Sequence, residues 1–498
     1  MGAFRFLLIL TVIAPLAACV GDDAYRIEPL QERALVGKTT WRQETEAFSK
    51  KAASGISWWQ EFNDPMLTRL IQDVETANLD LRIATHRIRS AGVTLREEKA
   101  GQWPTASFTG NFSWSQHRNE IEVADDIEAV SSGVVPVVEY ETDLVTDEYK
   151  YINLGVNVSW ELDLWGRKQR AYRATLADYA QSQANRIAAR LKVISEVALA
   201  YIELRQRDRD IRIVVGQIED HRARLDILEN QYEAGIIAQW RLLRQLAELN
   251  TAAGELADLK GARRQLEHRI ATLVGQPAGA VAVPDTGDRT PLSPIGVPAG
   301  LPSDLLARRP DIVAAAHRVE SAYQRVGEAR AARLPTLSLS GNGGLASNSL
   351  SSLLEQWTLG FAPTLLMPIF DAGARKARVA RNEVRLEIAE DEYRRVVLQG
   401  LEEVENLLTR RHTARRQYEI LEKRVDLLQQ VRNQTDARFQ EGLLSQLEVL
   451  DMDRELFGAQ RALNGVRRRL MDNTVALWKA MGGGWRPDNG KGGLSARQ

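Results

Sequence analysis

The longest regular pattern in the sequence is a helical seam in its first half. The positions that alternate spacings of three and four are Ile211, Val214, Ile218, His221, Leu225, Leu228 and Tyr232. This spacing is typical of the a and d positions of a coiled coil. No proline interrupts residues 137–276 or 369–486. The sequence therefore predicts long helices in both regions, and a single helix over residues 167–234 would be about 100 Å long.

The second half shows the same seam at Leu421, Val425 and Leu428. His221 is the one polar member of the first seam. A histidine there would serve as a metal ligand, a pH switch or a packing residue. We predict a packing residue, because no second His or Cys accompanies it at ligand spacing.

Four segments alternate apolar and polar residues with period two. They predict strands at about 105–115, 151–162, 336–345 and 357–366. This pattern is typical of transmembrane β-strands, although a soluble sheet with one buried face shows it too. Aromatic residues at Trp114, Trp160 and Trp357 favour the membrane. Four strands are too few to close a barrel and lipid does not tolerate open edges, so the chain is predicted to oligomerise.

Residues 119–150 connect the first two predicted strands and are strongly acidic. The carboxylates are Glu120, Glu122, Asp125, Asp126, Glu128, Glu139, Glu141, Asp143, Asp147 and Glu148. Only Lys150 opposes them. We predict a solvated surface loop, with a specific cation or receptor site as the alternative.

The chain contains an internal repeat with an offset of 207 residues. Tyr232-Glu233-Ala234-Gly235 matches Phe439-Gln440-Glu441-Gly442, and Leu273-Val274-Gly275 matches Ala480-Met481-Gly482. Six prolines mark the segment between the halves as an extended linker. The predicted organisation is a signal peptide at 1–18, a lipidated extended segment at 19–64, a first repeat at 65–275, the linker at 276–302, a second repeat at 303–482 and a tail at 483–498.

The N-terminus reads as an export signal, with Arg5 before an apolar stretch and small residues up to Cys19. Leu16-Ala17-Ala18-Cys19 resembles a bacterial lipobox, which implies cleavage before Cys19 and acylation of that residue. Val20 in place of an aspartate implies sorting to the outer membrane. An ordinary signal peptide with a chance cysteine is the alternative.

Composition and motifs narrow the functional classes. The 65 Lys and Arg residues nearly balance the 66 Asp and Glu residues, for a net charge of −1, so no nucleic-acid surface is indicated. The single cysteine excludes an intrachain disulfide and a multi-cysteine metal site. We find no Walker A loop, G-x-S-x-G or H-E-x-x-H motif, so we predict that the protein is not an enzyme and has no cofactor beyond the lipid on Cys19.

Several motifs resemble the TolC-like outer-membrane efflux family, in its lipoprotein branch, over essentially the whole mature chain. They are Trp59-Gln60-Glu61-Phe62-Asn63-Asp64-Pro65, Leu301-Pro302-Ser303-Asp304-Leu305-Leu306, Arg308-Arg309-Pro310-Asp311-Ile312 and Met481-Gly482-Gly483-Gly484-Trp485. The resemblance implies an α+β membrane protein, a homotrimer in which each chain gives four strands to one twelve-stranded transmembrane barrel and its helices to a periplasmic tunnel. It implies a passive exit duct that works with a periplasmic adaptor and an inner-membrane pump.

The resemblance also assigns roles to residues of this chain. Gly235 and Gly442 would lie at the tip where the adaptor docks. Glu448 and Asp451 match the family segment that forms acidic rings at the periplasmic constriction, where carboxylate rings concentrate cations. The 207 offset pairs Glu448 with Arg241 and Asp451 with Arg244. We therefore hypothesise that one of these arginines binds one of these carboxylates in the closed gate, within a chain or between chains.

Basic residues follow both predicted hairpins and are expected either to contact lipid head groups or to be solvated. They are Arg167, Lys168, Arg170, Arg375, Lys376 and Arg378. A duct for type I protein secretion and a non-conducting coiled-coil lipoprotein are the alternative functions. The transported substrate, the pump and the adaptor are not indicated by the sequence.

Overall fold

The structure, a computed structural model, describes residues 25–35, 41, 57–124, 140–285, 287, 306 and 308–483. The chain divides into two compact units. The strand unit comprises the described residues of Thr94–Thr175 and Ala322–Val384, and the helix unit comprises the described residues of Ala24–Val93, Leu176–Ser321 and Arg385–Gln498. The predicted signal peptide and Cys19 lie outside the described residues, as does most of the proline-rich linker.

The described part of the chain contains eight α-helices and four β-strands. In chain order they are α1 (Glu28–Leu35), α2 (Pro65–Ala77), α3 (Leu79–Ala100), β1 (Thr105–Ala124), β2 (Tyr140–Leu162), α4 (Arg167–Glu233), α5 (Gln239–Leu273), α6 (Pro310–Ala331), β3 (Thr336–Ser347), β4 (Trp357–Leu366), α7 (Ala374–Gln440) and α8 (Gln446–Ala480). No helix in these described ranges is long and apolar enough to cross a membrane.

The four strands form one antiparallel sheet in the order β1-β2-β3-β4. In the middle of the sheet, its register places apolar residues opposite apolar residues or glycine, as in Phe108↔Val156 and Gly343↔Leu359. Polar residues pair in the same way, as in Ser107↔Asn157. Because successive side chains point to opposite faces, the sheet has one apolar and one polar face.

The apolar face of the sheet is uncovered in the single chain. Leu359 is 80% exposed and Phe361 is 72% exposed, and Phe108, Phe112 and Trp357 are exposed as well. Such a large uncovered apolar surface marks contact with lipid or another protein. The predicted alternation is confirmed, and no described residue covers the apolar face to form a soluble core.

The predicted bounds of the acidic loop, residues 119–150, are wrong at both ends. β1 continues to Ala124 and β2 begins at Tyr140, so most of the acidic stretch is paired strand backbone. Residues 125–139 lie outside the described part. Charge density alone does not interrupt a strand, because the backbone hydrogen bonds are independent of the side chain and Ile121 and Val123 continue the period-two pattern.

The predicted helical seam is confirmed over most of its length. Val214 and Ile218 of α4 are buried against Ala252 of α5. His221 is buried too, at 3% exposure. Tyr232 is exposed, which contradicts its predicted seam position. It lies at the end of α4, which stops one residue later, so no further helical turn packs over it.

The helices of the two halves have matching lengths and matching end contacts. α4 and α7 each have 67 residues, and α5 and α8 each have 35. The Asn78 side-chain amide donates to the Leu273 carbonyl at 2.7 Å, and an Arg309 guanidinium N–H donates to the Ala480 carbonyl at 3.3 Å. The polar side chain that directly precedes α3 or α6 thus caps the last residue of the final helix of its half, α5 or α8.

Candidate functional site

The two turns between the long helices are built alike. We call residues 234–238 and 441–445 the tip turns. Gly235 and Gly442 have φ values of 72° and 76°, and the next residue in each donates its N–H to the carbonyl five residues earlier at 2.9 Å. This is the Schellman arrangement, in which a left-handed residue satisfies the last helix carbonyls. Only glycine adopts that φ without strain, so the sequence fixes both turns locally.

The tip turns carry exposed apolar side chains. Ile236 and Leu443 occupy equivalent positions and are 71% and 69% exposed. Trp240 and Leu243 are also exposed, and the Arg241 guanidinium lies 5.5 Å from the centre of the Trp240 ring. Clustered apolar residues of this kind mark a surface for a protein partner. Trp240 thus lies exposed in the first turn of α5.

The two candidate ring residues both lie in the first turns of α8. Glu448 accepts hydrogen bonds from the Ser445 backbone N–H at 2.8 Å and from the Ser445 hydroxyl at 3.0 Å. It therefore caps the start of α8, where a negative charge also suits the helix dipole. Asp451 is exposed and lies 3.7 Å from Arg454. An acidic side chain that is held in place at a helix start is suitable for a charged ring.

The hypothesised pairing does not occur within one chain. No ion pair joins Arg241 or Arg244 to Glu448 or Asp451, all four of which are described. Ion pairs between α5 and α8 connect the halves instead, among them Arg454 with Glu248 and Arg461 with Glu255. Pairing between chains stays a prediction.

A charge cluster with a buried centre lies about three helical turns from the tip turns, and sequence analysis missed it. Its members come from α4, α7 and α8 and are Asp220, Arg224, Arg432, Asp436 and Asp453. Asp453 is only 1% exposed and contacts both arginines. Arg224 also binds Asp436 at 2.9 Å, and Arg432 binds Asp220 at 2.6 Å. The cluster ties the helices of both halves together through charge-assisted hydrogen bonds.

His221 adjoins this cluster and packs as predicted. The Gln245 side-chain N–H lies 3.2 Å from His221 Nδ1 and donates to the His221 carbonyl at 3.0 Å. Burial lowers the pKa of His221, against the opposing charge of Asp453. The neutral ring is therefore the form that this site stabilises. No group of three His, Cys, Asp or Glu side chains in the described ranges is arranged to hold a metal ion.

The chain matches known proteins over most of its length. Residues 70–276 and 301–483 fit the outer membrane efflux protein family. The probable efflux pump outer membrane protein TtgC of Pseudomonas putida is 30% identical over 448 residues, which cover 89% of this chain and 88% of TtgC. The pyoverdine export outer membrane protein OpmQ of Pseudomonas aeruginosa is 29% identical over 485 residues, 95% of each chain.

The fold has a solved counterpart in the outer-membrane channel OprN. The two superimpose with a TM-score of 0.80 at 25% identity, over 94% of this chain and 100% of OprN. The sheet, the long helices and these matches agree with the family resemblance drawn from the motifs. The chain belongs to the TolC-like outer membrane efflux protein family and is an efflux channel protein of the bacterial outer membrane.

Proposed function

We propose that three copies of this chain form a passive exit duct, with the four strands of each copy contributing to one twelve-stranded transmembrane barrel. The observation that carries the proposal is the sheet itself, which has an exposed apolar face and two open edges, β1 and β4. Backbone groups at an open edge are not tolerated in lipid, so neighbouring copies must pair with these edges. Two copies would give eight strands and three give twelve, and the family resemblance selects three.

The duct works with a periplasmic adaptor that docks on the tip turns and with an inner-membrane pump that supplies the energy. The exposed residues Ile236 and Leu443 support this docking surface. The exported molecules are small, because the matched relatives are named for efflux and for pyoverdine export. An acyl chain on Cys19 would anchor each copy. The matching helix lengths and end contacts support an internal duplication as the origin of the two halves.

The number of copies is tested by the mass of the purified protein in detergent. Light scattering corrected for detergent is expected to give three times the mature chain mass. A monomeric mass under conditions that preserve the helices would contradict the closed barrel.

The charge ring is tested by ion selectivity. In the trimer, Glu448 and Asp451 form acidic rings, and Arg241 or Arg244 of a neighbouring copy binds one of them when the tip is closed. The double variant Glu448→Gln, Asp451→Asn removes the charge while glutamine keeps the helix cap. It is expected to lower the cation preference of single channels and to raise their open probability. Glu387→Gln, an exposed carboxylate far from the tip in sequence, is the control and should change neither; an unchanged double variant would exclude the ring.

A further inference from the structure

A basic cavity lies in the strand unit where the sheet meets the helices. Its volume is about 410 Å³, and its charged lining residues are all arginines: Arg170 of α4, Arg330 of α6 and Arg333 just after α6. No carboxylate lines it. Arg330 binds Glu383, which lies outside the lining, at 2.6 Å.

The position of the Arg170 side chain is fixed by its contacts with α6. Its side chain lies across Gly327 of α6, where a Cβ would come 2.3 Å from Arg170 Cδ. The Arg170 guanidinium donates to the Gln324 side-chain oxygen at 3.3 Å. A residue larger than glycine at 327 would displace this arginine from the cavity wall. Arg333, by contrast, forms no side-chain hydrogen bond or ion pair with the described residues, so its donors are available to a ligand.

The surroundings of the cavity match a membrane boundary. Trp165, which also lines the cavity, donates its indole N–H to the Pro335 carbonyl at 2.6 Å and so joins the end of β2 to the start of β3. Leu334 is exposed at the cavity edge, and the β3–β4 register places the exposed Leu366 beside the start of β3. Arginine and tryptophan beside an apolar surface are the residues that contact lipid head groups.

We propose that this cavity binds an anionic phosphate group, either as the head group of an anionic phospholipid or as a free phosphate ion. Guanidinium groups match phosphate oxygens in geometry and charge, which favours this ligand over a neutral one. In the lipid case the acyl chains would lie on the apolar surface that begins at Leu334. The proposal does not depend on the proposed gate, because none of the gate residues lines the cavity.

The test uses full-length protein in nonionic detergent with phosphatidylglycerol, zwitterionic phosphatidylcholine or inorganic phosphate. Native mass spectrometry counts the bound lipid, and calorimetry follows the phosphate ion. Arg333→Gln and Arg330→Gln remove one charge each from the cavity, and Arg381→Gln removes an exposed arginine of the same unit outside the cavity lining. Circular dichroism and elution volume establish that each variant is folded.

Phosphatidylglycerol is expected to be retained more than phosphatidylcholine, with affinity falling about fivefold for each cavity arginine removed and not for Arg381→Gln. If inorganic phosphate binds with the same sensitivity to the variants and displaces the lipid, the free ion is the ligand. If it does not displace the lipid, the head group of the phospholipid is the ligand. Equal retention of the two lipids without phosphate binding, or an equal loss in Arg381→Gln, would overturn the proposal.

Discussion

At the scale of single residues, burial separates the acidic side chains near the tip turns into two kinds. Asp453 is enclosed between two arginines, whereas Asp451, two residues earlier on α8, is exposed and reaches Arg454 only at 3.7 Å. Removing one member of a buried ion pair leaves its partners uncompensated, while an exposed pair contributes little. The two positions therefore form a matched comparison.

Asp453→Asn is expected to destabilise the tip by about 3 kcal/mol, because Arg224 and Arg432 lose a shared carboxylate that is sheltered from water. Asp451→Asn should cost less than about 0.5 kcal/mol. Hydrogen exchange of the α4 and α8 segments beside the tip turns measures both. Equal protection in the two variants would show that the buried cluster does not hold the helices together.

A second pair of positions tests the backbone of the tip turns. Gly442→Ala forces a Cβ into a left-handed conformation and is expected to cost about 1 to 2 kcal/mol. Gly458→Ala is its control, because Gly458 lies inside α8 with no neighbouring atom within 4 Å of a new Cβ. The control should stabilise α8 by about 0.5 to 1 kcal/mol. Thermal unfolding of the purified protein should shift in opposite directions for the two variants, and shifts of the same sign would contradict the assignment.

At the scale of helices and strands, the sequence pattern predicted what depends on local periodicity. The strand starts at Thr105, Thr336 and Trp357 agree with the predicted segments, and the α4 seam packs as its spacing required. The pattern did not predict that β1 continues to Ala124 or that β2 begins at Tyr140, because a dense run of acidic residues is more typical of a loop. The charge cluster was missed because charged residues are common on the faces of long helices. Only the register of three helices, which spacing does not fix, brings Asp220, Asp436 and Asp453 together.

The two faces of the sheet give an element-scale prediction. Phe361→Lys places a charge on the apolar face near the middle of β4, which should cost about 2 to 4 kcal/mol if this face contacts lipid. Ser340→Lys, on the neighbouring strand and the opposite face, should be tolerated. The measurement is the amount of folded protein in outer-membrane fractions, assayed by resistance to SDS before heating. Equal loss in both variants would contradict a lipid-facing assignment.

At the scale of the whole molecule, the open sheet edges require neighbouring strands and the exposed apolar face requires lipid. The proposed transmembrane barrel of several copies would satisfy both requirements. The tip turns supply a further requirement, since their exposed apolar residues need a protein surface. The proposed trimeric channel, with a tip that opens only briefly until an adaptor docks, would satisfy these requirements. The charge cluster near the turns would hold the helices in place until then.

The most direct test of this account is the single-channel current of the purified protein in planar bilayers, compared with that of Asp453→Asn. The account predicts discrete openings with a preference for cations from a species of three chains, with a higher open probability in the variant because its tip is less firmly held. Absence of any conductance from both proteins, each inserted in the bilayer as a folded trimer, would contradict the exit duct.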